Sequence, residues 1–281
     1  MKTRVECYPC FLQQVVNTLS MMKVETDRRC SILRGVMSTI LECPEEWSPP
    51  EVSSRVYRYL SKATGVEDPF REKKAESNKV ASKMIRSLRE SLNDAEDPLF
   101  LAVKAAIVGN IIDFGVSHQF EIEDAKAIAD LTLAIDHYQL FKEDVKGAST
   151  VLYLADNAGE IGFDGLLIEQ LVSLGKEVTV AVRSSPIIND ATLEDARFFG
   201  IERVANLITS GSPAPGTPLS MVTPEFLHLF ETVDLVVSKG QGNFETLDDA
   251  GRPIYFLLRA KCPVIAELLD VEIGSILLIR R

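Results

Sequence analysis

Two aspartates and one asparagine in the C-terminal half of the chain have the chemistry of a divalent-metal site. Asp156 and Asn157 come directly after the apolar run TVLYLA, and Asp190 follows EVTVAV after a short polar connection. Their side chains offer two carboxylates and an amide oxygen, the hard donors that Mg²⁺ and Mn²⁺ prefer. Because three protein ligands leave positions for water or substrate, such a set is typical of a catalytic metal ion that polarises a phosphoryl oxygen and activates water.

A third polar cluster, KGQGNFE, follows the apolar run VDLVVS and suits the binding of an anion. Lys239 can neutralise a phosphate, and Gly240 and Gly242 let backbone N–H groups approach it closely. Asn243 can donate a further hydrogen bond. Since phosphoryl transfer depends mainly on positioning and charge stabilisation, the three clusters together predict a phosphoryl-transfer site. Each cluster also has a structural interpretation, as a turn, a helix N-cap or an ordinary glycine loop.

The elements that must position these clusters are the apolar runs themselves. Short β-rich runs separated by helical segments predict parallel strands that are buried on both faces and joined by βαβ crossovers. The predicted strands are 150–155, 177–182, 205–209, 233–238 and 275–279, with either 253–258 or 263–268 as a further strand. Ligands of open α/β sheets bind at the carboxyl ends of the strands, which is where the three clusters lie.

The N-terminal half has a helical pattern instead. Apolar residues at helical spacing predict helices over 76–92, 101–116 and 123–134. We therefore predict an α/β fold with two regions. A helical N-terminal region, 1–145, packs against a Rossmann-like α/β domain, 146–281, whose mostly parallel sheet has flanking helices and carries the metal site.

Composition narrows the classes of function. The chain has 281 residues, of which 46% are hydrophobic and 25% charged, as in ordinary globular proteins. A formal net charge of −11 without a basic cluster argues against a nucleic-acid partner. The N-terminus lacks the apolar core of a signal peptide, and the most apolar helical stretch is too short to span a bilayer. We therefore predict a cytoplasmic protein with a small phosphorylated metabolite as its partner and no membrane partner; the sequence indicates no oligomeric state.

The five cysteines include a CxxC motif at Cys7 and Cys10. Their odd number and the lack of a secretory signal argue against a disulfide framework. A structural zinc site needs four ligands, and Cys30, Cys43 and Cys262 are further candidates, but there is no second CxxC. Two interpretations stay open: a second metal site, or a helix entry with small buried thiols. A meeting of the CxxC with Cys262 in space is a hypothesis.

Seven motifs in order resemble the damage-control phosphatase family, formerly catalogued as a domain of unknown function, and in particular its first subfamily, which has an N-terminal CxxC. The motifs span nearly the whole chain: Cys7-Tyr-Pro-Cys10, DPFREKKAESN at 68–78, GNIIDFG at 109–115, DNAGE from Asp156, PIINDAT at 186–192, KGQGNFE at 239–245, and Lys261-Cys262.

The resemblance implies a metal-dependent phosphatase of small phosphorylated metabolites, such as sugar phosphates or related damaged phosphometabolites. It implies a divalent metal ion (Mn²⁺, Ni²⁺, Co²⁺ or Mg²⁺) on Asp156, Asn157 and Asp190. It implies that Asn110 and Asp113 reach the site from the helical region. We assign catalysis to Asp156, Lys239, Asn243 and Asp113, and substrate binding to Asn110, Glu160, Gly240, Gly242 and Lys239. The roles of Cys7, Cys10, Lys261 and Cys262 stay open.

Three other functions compete with this interpretation. A Rossmann-type nucleotide-cofactor enzyme, such as a methyltransferase, needs a glycine-rich turn after its first strand, but DNAGE has one glycine and a leading carboxylate. A haloacid-dehalogenase-like phosphatase would need a second acid where Ala158 stands, although phosphorylation of Asp156 remains an alternative to direct attack by water. A non-enzymatic metal- or phosphate-binding module would leave the clustered acids without a task.

Overall fold

The computed structural model describes residues 1–109 and 125–281, and seven strands in these ranges form one sheet. The strands are β1 Ile135–Asp136, β2 Thr150–Leu154, β3 Glu177–Val182, β4 Asn206–Thr209, β5 Leu235–Lys239, β6 Tyr255–Arg259 and β7 Ile276–Arg280. Their order is β1-β7-β6-β5-β2-β3-β4, and every neighbouring pair is parallel except β6 and β7. The predicted α/β fold with a mostly parallel sheet is therefore confirmed.

Twelve helices lie in the described part of the chain. They are α1 Cys7–Met21, α2 Thr26–Leu41, α3 Pro49–Thr64, α4 Arg71–Asn93, α5 Pro98–Gly109, α6 Ala125–Ala129, α7 Tyr138–Gly147, α8 Glu160–Ser173, α9 Leu193–Phe198, α10 Pro224–Thr232, α11 Gly240–Leu247 and α12 Pro263–Leu269. Local sequence explains several boundaries. Ser48 and Glu51 form a capping box around the two prolines that open α3, and Gly65 ends the helix in the left-handed conformation.

Helices cover both faces of the sheet, because the side chains of each central strand alternate between two apolar cores. Val151 and Tyr153 of β2 pack with α4, α5 and α8, whereas Leu152 and Leu154 pack with α10, α11 and α12. All five residues of β5 are buried. Burial on both faces is the reason that these strands appear in the sequence as continuous apolar runs.

A third core belongs to α1, α2 and α3, which we call the helical cluster. Each of its helices contributes apolar residues four positions apart: Phe11, Val15 and Leu19; Ile32, Val36 and Ile40; Val52, Val56 and Leu60. One residue from outside the three helices, Ile187, is buried in the same core. The connection after β3 is thereby anchored in the N-terminal region.

Most predicted elements agree with the structure to within a few residues, and the differences have local causes. Of the two alternatives for the additional strand, the region near 253–258 forms β6, while Pro263 occupies the first turn of helix α12. In the predicted helix 123–134, the described helical residues end at Ala129, and the chain then leaves the helix to reach β1, which begins at Ile135. Residues 110–116 of another predicted helix lie outside the described residues. The domain boundary at 145/146 stays a prediction.

Within the described ranges, no helix has the length and apolar character needed to cross a membrane. The cytoplasmic location stays a prediction.

Candidate active site

The carboxyl ends of β2 and β3 are joined by backbone hydrogen bonds. The Ala191 N–H donates to the Asp156 carbonyl at 2.7 Å, and the Ala158 N–H donates to the Asn189 carbonyl at 2.9 Å. Asn157 and Asp190 form an antiparallel bridge between these bonds. The structure thus brings together the three residues that the sequence placed at two separate strand ends, and all three are buried.

The turn before Asp190 has unusual backbone geometry. Ile188 has φ 46°, a left-handed conformation that is costly for a β-branched residue. Its neighbour Ile187 is buried in the helical cluster, and the Asp190 N–H donates to the Ile187 carbonyl at 3.1 Å. The position of Asp190 therefore depends on the packing of this turn against the N-terminal helices.

Asn157 orients the acidic side chains of the DNAGE turn. Its Nδ2 donates to Asp156 Oδ2 at 2.9 Å and to Glu160 Oε2 at 3.0 Å. Glu160 lies in the first turn of α8, where the helix dipole favours a negative charge. The amide nitrogen is therefore committed to carboxylates, and Asn157 Oδ1 is the atom suited to a metal ion.

Burial and nearby negative charges both disfavour the ionised form of Asp156. Burial raises the pKa of Asp156 well above its usual value, and the negative charges of Glu160 and Asp190 raise it further, while Lys261 and Arg183 act in the opposite direction. A divalent cation would offset this repulsion, and the two carboxylates and one amide oxygen are its preferred donors. The residues present therefore fit the metal ion that the sequence predicts. The candidate set has two aspartates, and its third donor is the Asn157 amide oxygen. A metal site made of three or more His, Cys, Asp or Glu side chains is not found within the described residues.

Arg183 is a site residue that the sequence analysis did not select. It is 2% exposed, its Nε donates to Asp190 Oδ2 at 2.7 Å, and its Nη2 lies 3.8 Å from Asp156 Oδ1. It stands directly after β3, at the same strand-end position that identified the other candidates, and this position is the signal that could have found it. Its charge partly balances the two aspartates.

Lys239 lies away from the cavity wall, fully buried behind α8. Its Nζ donates to Glu160 Oε1 and Asp164 Oδ1, both at 2.6 Å, and to the Ala106 carbonyl at 2.8 Å. Burial acts to lower the pKa of Lys239, but the Asp164 and Glu160 carboxylates outweigh it and raise the pKa overall. Contact between Lys239 and a phosphate stays a prediction, and it would require one of these three acceptors to be exchanged.

Asp164 is a second residue that the sequence analysis did not select; like Glu160, it accepts a hydrogen bond from the Lys239 ammonium group. Its Oδ1 accepts a second hydrogen bond, at 2.8 Å, from the Tyr153 hydroxyl. Burial raises the pKa of Asp164 to about 7, although Lys239 lowers it. Asp164 follows Glu160 by four residues, on the same face of α8, and that spacing is the signal in the sequence.

Asn243 and Gly240 lie in the first turn of helix α11, which begins directly after β5. Asn243 Nδ2 donates to the Ala155 carbonyl at 3.1 Å and to the Lys239 carbonyl at 2.7 Å, and its Oδ1 accepts from Thr217 Oγ1 at 2.7 Å. Gly240 has φ 76°, and a Cβ there would overlap the Asp156 carboxylate. Both residues hold the start of α11 against the acidic residues, where the sequence allowed a glycine loop; their assigned roles toward substrate stay predictions.

The DPFREKKAESN motif fixes the DNAGE turn from the helical side. Asn78 Oδ1 accepts from the Gly159 N–H at 2.7 Å, and Asn78 Nδ2 donates to Asp195 Oδ1 at 2.8 Å. Gly159 has φ 75°, and a Cβ there would overlap Ser77. Gly159 thus permits α4 to pack closely against the DNAGE turn. The glycine of a nucleotide-cofactor site instead leaves space for a pyrophosphate, and here that space is filled by Ser77.

A cavity of about 340 Å³ opens between the sheet edge and the helical cluster. Its sheet side includes Asp156, Asn157 and Asp190. Its remaining lining comes from three places: α1 and the residue before it (Glu6, Cys7, Cys10, Phe11, Gln14), the start of α3 (Pro49, Pro50, Ser53), and the loops and helices around them (Ile188, Asn189, Pro215, Gln241, Gly242, Glu245, Lys261, Cys262, Pro263, Val264).

The CxxC and the Lys-Cys pair therefore border the same cavity as the candidate metal ligands. Cys7, Cys10 and Cys262 all line it, and all three are free thiols. Partial burial raises the pKa of Cys7 and of Cys10, so both thiols are protonated at neutral pH in the metal-free protein. The role of the thiols stays open.

Two assigned residues, Asn110 and Asp113, lie outside the described residues. The last described residue of α5, Gly109, packs against Glu160 and Phe163. The assignments of Asn110 and Asp113 stay predictions.

Comparison with known proteins gives matches along the whole chain. The family model described as the damage-control phosphatase ARMT1-like domain matches residues 3–277. A damage-control phosphatase of Pyrococcus horikoshii is 38% identical over 287 residues, which cover 100% of this chain and 98% of the relative. A damage-control phosphatase of Archaeoglobus fulgidus is 35% identical, with 98% of each chain covered.

Two further matches concern structure and a more distant relative. The crystal structure of a DUF89 family protein from Pyrococcus horikoshii superposes with a TM-score of 0.90 and 35% identity, covering 100% of this chain and 99% of that one. A mouse 4'-phosphopantetheine phosphatase is 27% identical over 187 residues, which are 56% of this chain and 23% of the relative.

Proposed function

This chain belongs to the damage-control phosphatase family defined by the ARMT1-like domain, and from that premise we propose that it is a metal-dependent phosphatase of small phosphorylated metabolites. Membership confirms the family predicted from the seven motifs, and it supports phosphatase action on phosphometabolites. The dependence on a divalent metal ion, and sugar phosphates or related damaged metabolites as substrates, are the parts that we add.

One observation carries the proposal: Asp156, Asn157 and Asp190 meet at the sheet edge and face a cavity of about 340 Å³. That volume is at the small end of the range for small-molecule sites. Two carboxylates without a cation would repel a phosphate dianion, so this lining suits a phosphate ester once a divalent ion is bound.

The residues present could perform the following parts of the reaction. Asp156, Asp190 and Asn157 Oδ1 would hold a divalent ion, which supplies Lewis-acid polarisation of a phosphoryl oxygen when bound. Arg183 keeps the Asp190 carboxylate in place by its 2.7 Å hydrogen bond. Asn157 Nδ2 orients the Asp156 and Glu160 carboxylates and offsets their mutual repulsion by donating to both. In a direct route, water attacks phosphorus, the bond from phosphorus to the ester oxygen breaks, and the alcohol leaves with a proton from that water. In a covalent route, the Asp156 carboxylate displaces the alcohol, and water then hydrolyses the acyl phosphate to inorganic phosphate and the free carboxylate. Trapping a phosphoenzyme distinguishes the two routes.

The test is turnover of p-nitrophenyl phosphate and a panel of sugar phosphates by metal-stripped protein, with Mn²⁺, Ni²⁺, Co²⁺ and Mg²⁺ restored one at a time. We expect restored turnover that falls at least about a thousandfold in Asp156→Ala, because metal polarisation contributes several kcal/mol. The exposed Asp94→Ala is the matched control and should match the wild type. Turnover without added metal, or full activity of Asp156→Ala, would contradict the proposal.

A further inference from the structure

We propose that Glu160 is a positioning residue for the candidate metal centre, which fixes the Asn157 side-chain amide with Oδ1 toward the metal ion. The inference rests on the metal dependence in the proposed function, and it gives Glu160 a task other than the substrate contact predicted from the sequence. Glu160 is 2% exposed and is not among the described residues that line the cavity. Its carboxylate is therefore placed to act on neighbouring side chains of the site rather than on a substrate.

The two sides of the Asn157 amide are nearly the same in shape but opposite in chemistry. Rotation of the amide by 180° exchanges Oδ1 and Nδ2 with little steric change, so the hydrogen-bond partners decide which atom faces the cavity. The oxygen is the atom that can bind a hard divalent ion, whereas the NH₂ group is a donor only. Because Asn157 lines the cavity, this choice decides whether it is a metal ligand at all.

The Glu160 carboxylate makes this choice. Asn157 Nδ2 donates to Glu160 Oε2 at 3.0 Å and to Asp156 Oδ2 at 2.9 Å. An ionised carboxylate accepts hydrogen bonds and donates none, so the amide nitrogen must face it. Asp156 is itself a candidate metal ligand, and an ion would compete for its oxygens. Glu160 is therefore the acceptor that an ion leaves to the amide.

Lys239 holds Glu160 in place from the other side. Its Nζ donates to Glu160 Oε1 at 2.6 Å, so the two oxygens of Glu160 have separate donors. The ammonium group is 0% exposed, and it also donates to Asp164 Oδ1 at 2.6 Å and to the Ala106 carbonyl at 2.8 Å. A buried chain of charge-assisted hydrogen bonds thus runs from Asp164 through Lys239 and Glu160 to Asn157. Such outer partners are what orient the ligands of a metal site.

The experiment is a double-mutant cycle on Glu160 and Asn157, with Mn²⁺ affinity measured by calorimetry. Glu160→Gln leaves one oxygen for two donors, so Lys239 or the Asn157 nitrogen loses its acceptor unless the Asn157 amide turns over. We expect Mn²⁺ affinity to fall about 10- to 100-fold, the usual effect of losing an outer partner of a metal ligand. In the Asn157→Asp background, Glu160→Gln should cause no loss, because either oxygen of a carboxylate can bind the ion.

Asp164→Asn is the matched control for charge. It removes a carboxylate from the same Lys239 ammonium group, also at 2.6 Å, but two hydrogen bonds further along the chain from Asn157. It should lower Mn²⁺ affinity less than Glu160→Gln, and by the same factor in both backgrounds. Glu160→Asp keeps the charge but shortens the side chain by one methylene, so it should also lose affinity, and it replaces Glu160→Gln if that variant does not fold. Urea denaturation of metal-free protein checks the folding of each variant.

Metal binding separates this inference from the proposed function. A wild type that binds Mn²⁺ but turns over no ester overturns the phosphatase proposal, while a loss of Mn²⁺ affinity confined to the background with Asn157 would still support the role of Glu160. Unchanged Mn²⁺ affinity in Glu160→Gln, the same loss in both backgrounds, or a wild type that binds no Mn²⁺ would overturn that role.

Discussion

The two walls of the cavity are built on different physical principles. The sheet side, formed by Asp156, Asn157 and Asp190, is buried and dense in charge, and hydrogen bonds to other polar groups orient it. The helical side, formed by α1 and the start of α3, is a mixture of apolar, thiol and amide groups, and Cys10 is exposed. On the proposed function, we predict that the sheet side serves the chemical step for every substrate and that the helical side selects among substrates.

The first way to test the sheet side is to remove its buried cation. Arg183→Met removes the guanidinium group that pairs with the buried Asp190 carboxylate, so we expect the free energy of unfolding to fall by about 3–5 kcal/mol in metal-free protein. Because Mn²⁺ would take over the partnership, added Mn²⁺ should restore part of the loss. Urea denaturation with and without Mn²⁺ measures both effects. Arg197→Met breaks an exposed ion pair with Glu202 and should cost at most about 1 kcal/mol.

The second test concerns the connection between the walls. Ile187→Ala removes a buried side chain from the helical cluster, so we expect a loss of about 2–4 kcal/mol in stability. The same change should weaken Mn²⁺ affinity, because Ile187 anchors the turn that carries Asp190. Ile40→Ala is a matched control from the same core, away from that turn. It should lose similar stability in denaturant titrations but keep its Mn²⁺ affinity. If Ile187→Ala bound Mn²⁺ as tightly as Ile40→Ala, the packing of Ile187 would have no influence on the candidate metal ligands.

The third test concerns Glu245, a buried carboxyl of α11 in the cavity lining. Burial raises its pKa from an ordinary 4.5 to about 7, despite the hydrogen bond from Gln241. The folded state therefore holds a proton that the unfolded chain releases, and stability is lost as the pH rises from about 4.5 through 7. The loss attributable to Glu245 is at most about 3 kcal/mol.

Glu245→Gln should therefore gain stability relative to the wild type at pH 8 but not at pH 4, as measured by urea denaturation at both values. A stability difference that is independent of pH would show that Glu245 ionises normally in the folded protein.

The smallest expected effect belongs to the helical side. Gln14→Ala removes a half-buried amide from the cavity wall while leaving the sheet side intact. We expect kcat/KM ratios between sugar phosphates and p-nitrophenyl phosphate to change about 3- to 10-fold, the contribution of one neutral hydrogen bond, while kcat for p-nitrophenyl phosphate stays near that of the wild type. Equal losses for every substrate would mean that this wall also serves the chemical step.

Much of this architecture could be predicted before any coordinates, because its signals are local. Continuous apolar runs indicated strands buried on both faces, and reading the residues after each run identified Asp156, Asn157 and Asp190. The ordered motifs identified the family. The same local patterns could not show that Ile187 belongs to the core of the helical cluster, because that contact joins segments far apart in the chain.

The sequence by itself determined the α/β class, the family and the polar residues at the strand ends, since periodicity and motif order are properties of neighbouring residues. Only the tertiary structure decided how these residues are paired. Lys239 ends one strand of the sheet and Lys261 follows another, yet Lys239 is buried against two carboxylates 75 and 79 positions away, and Lys261 lines the cavity. Burial and the choice of ionic partner depend on distant segments meeting in space, so identical residues in similar local patterns reach opposite environments.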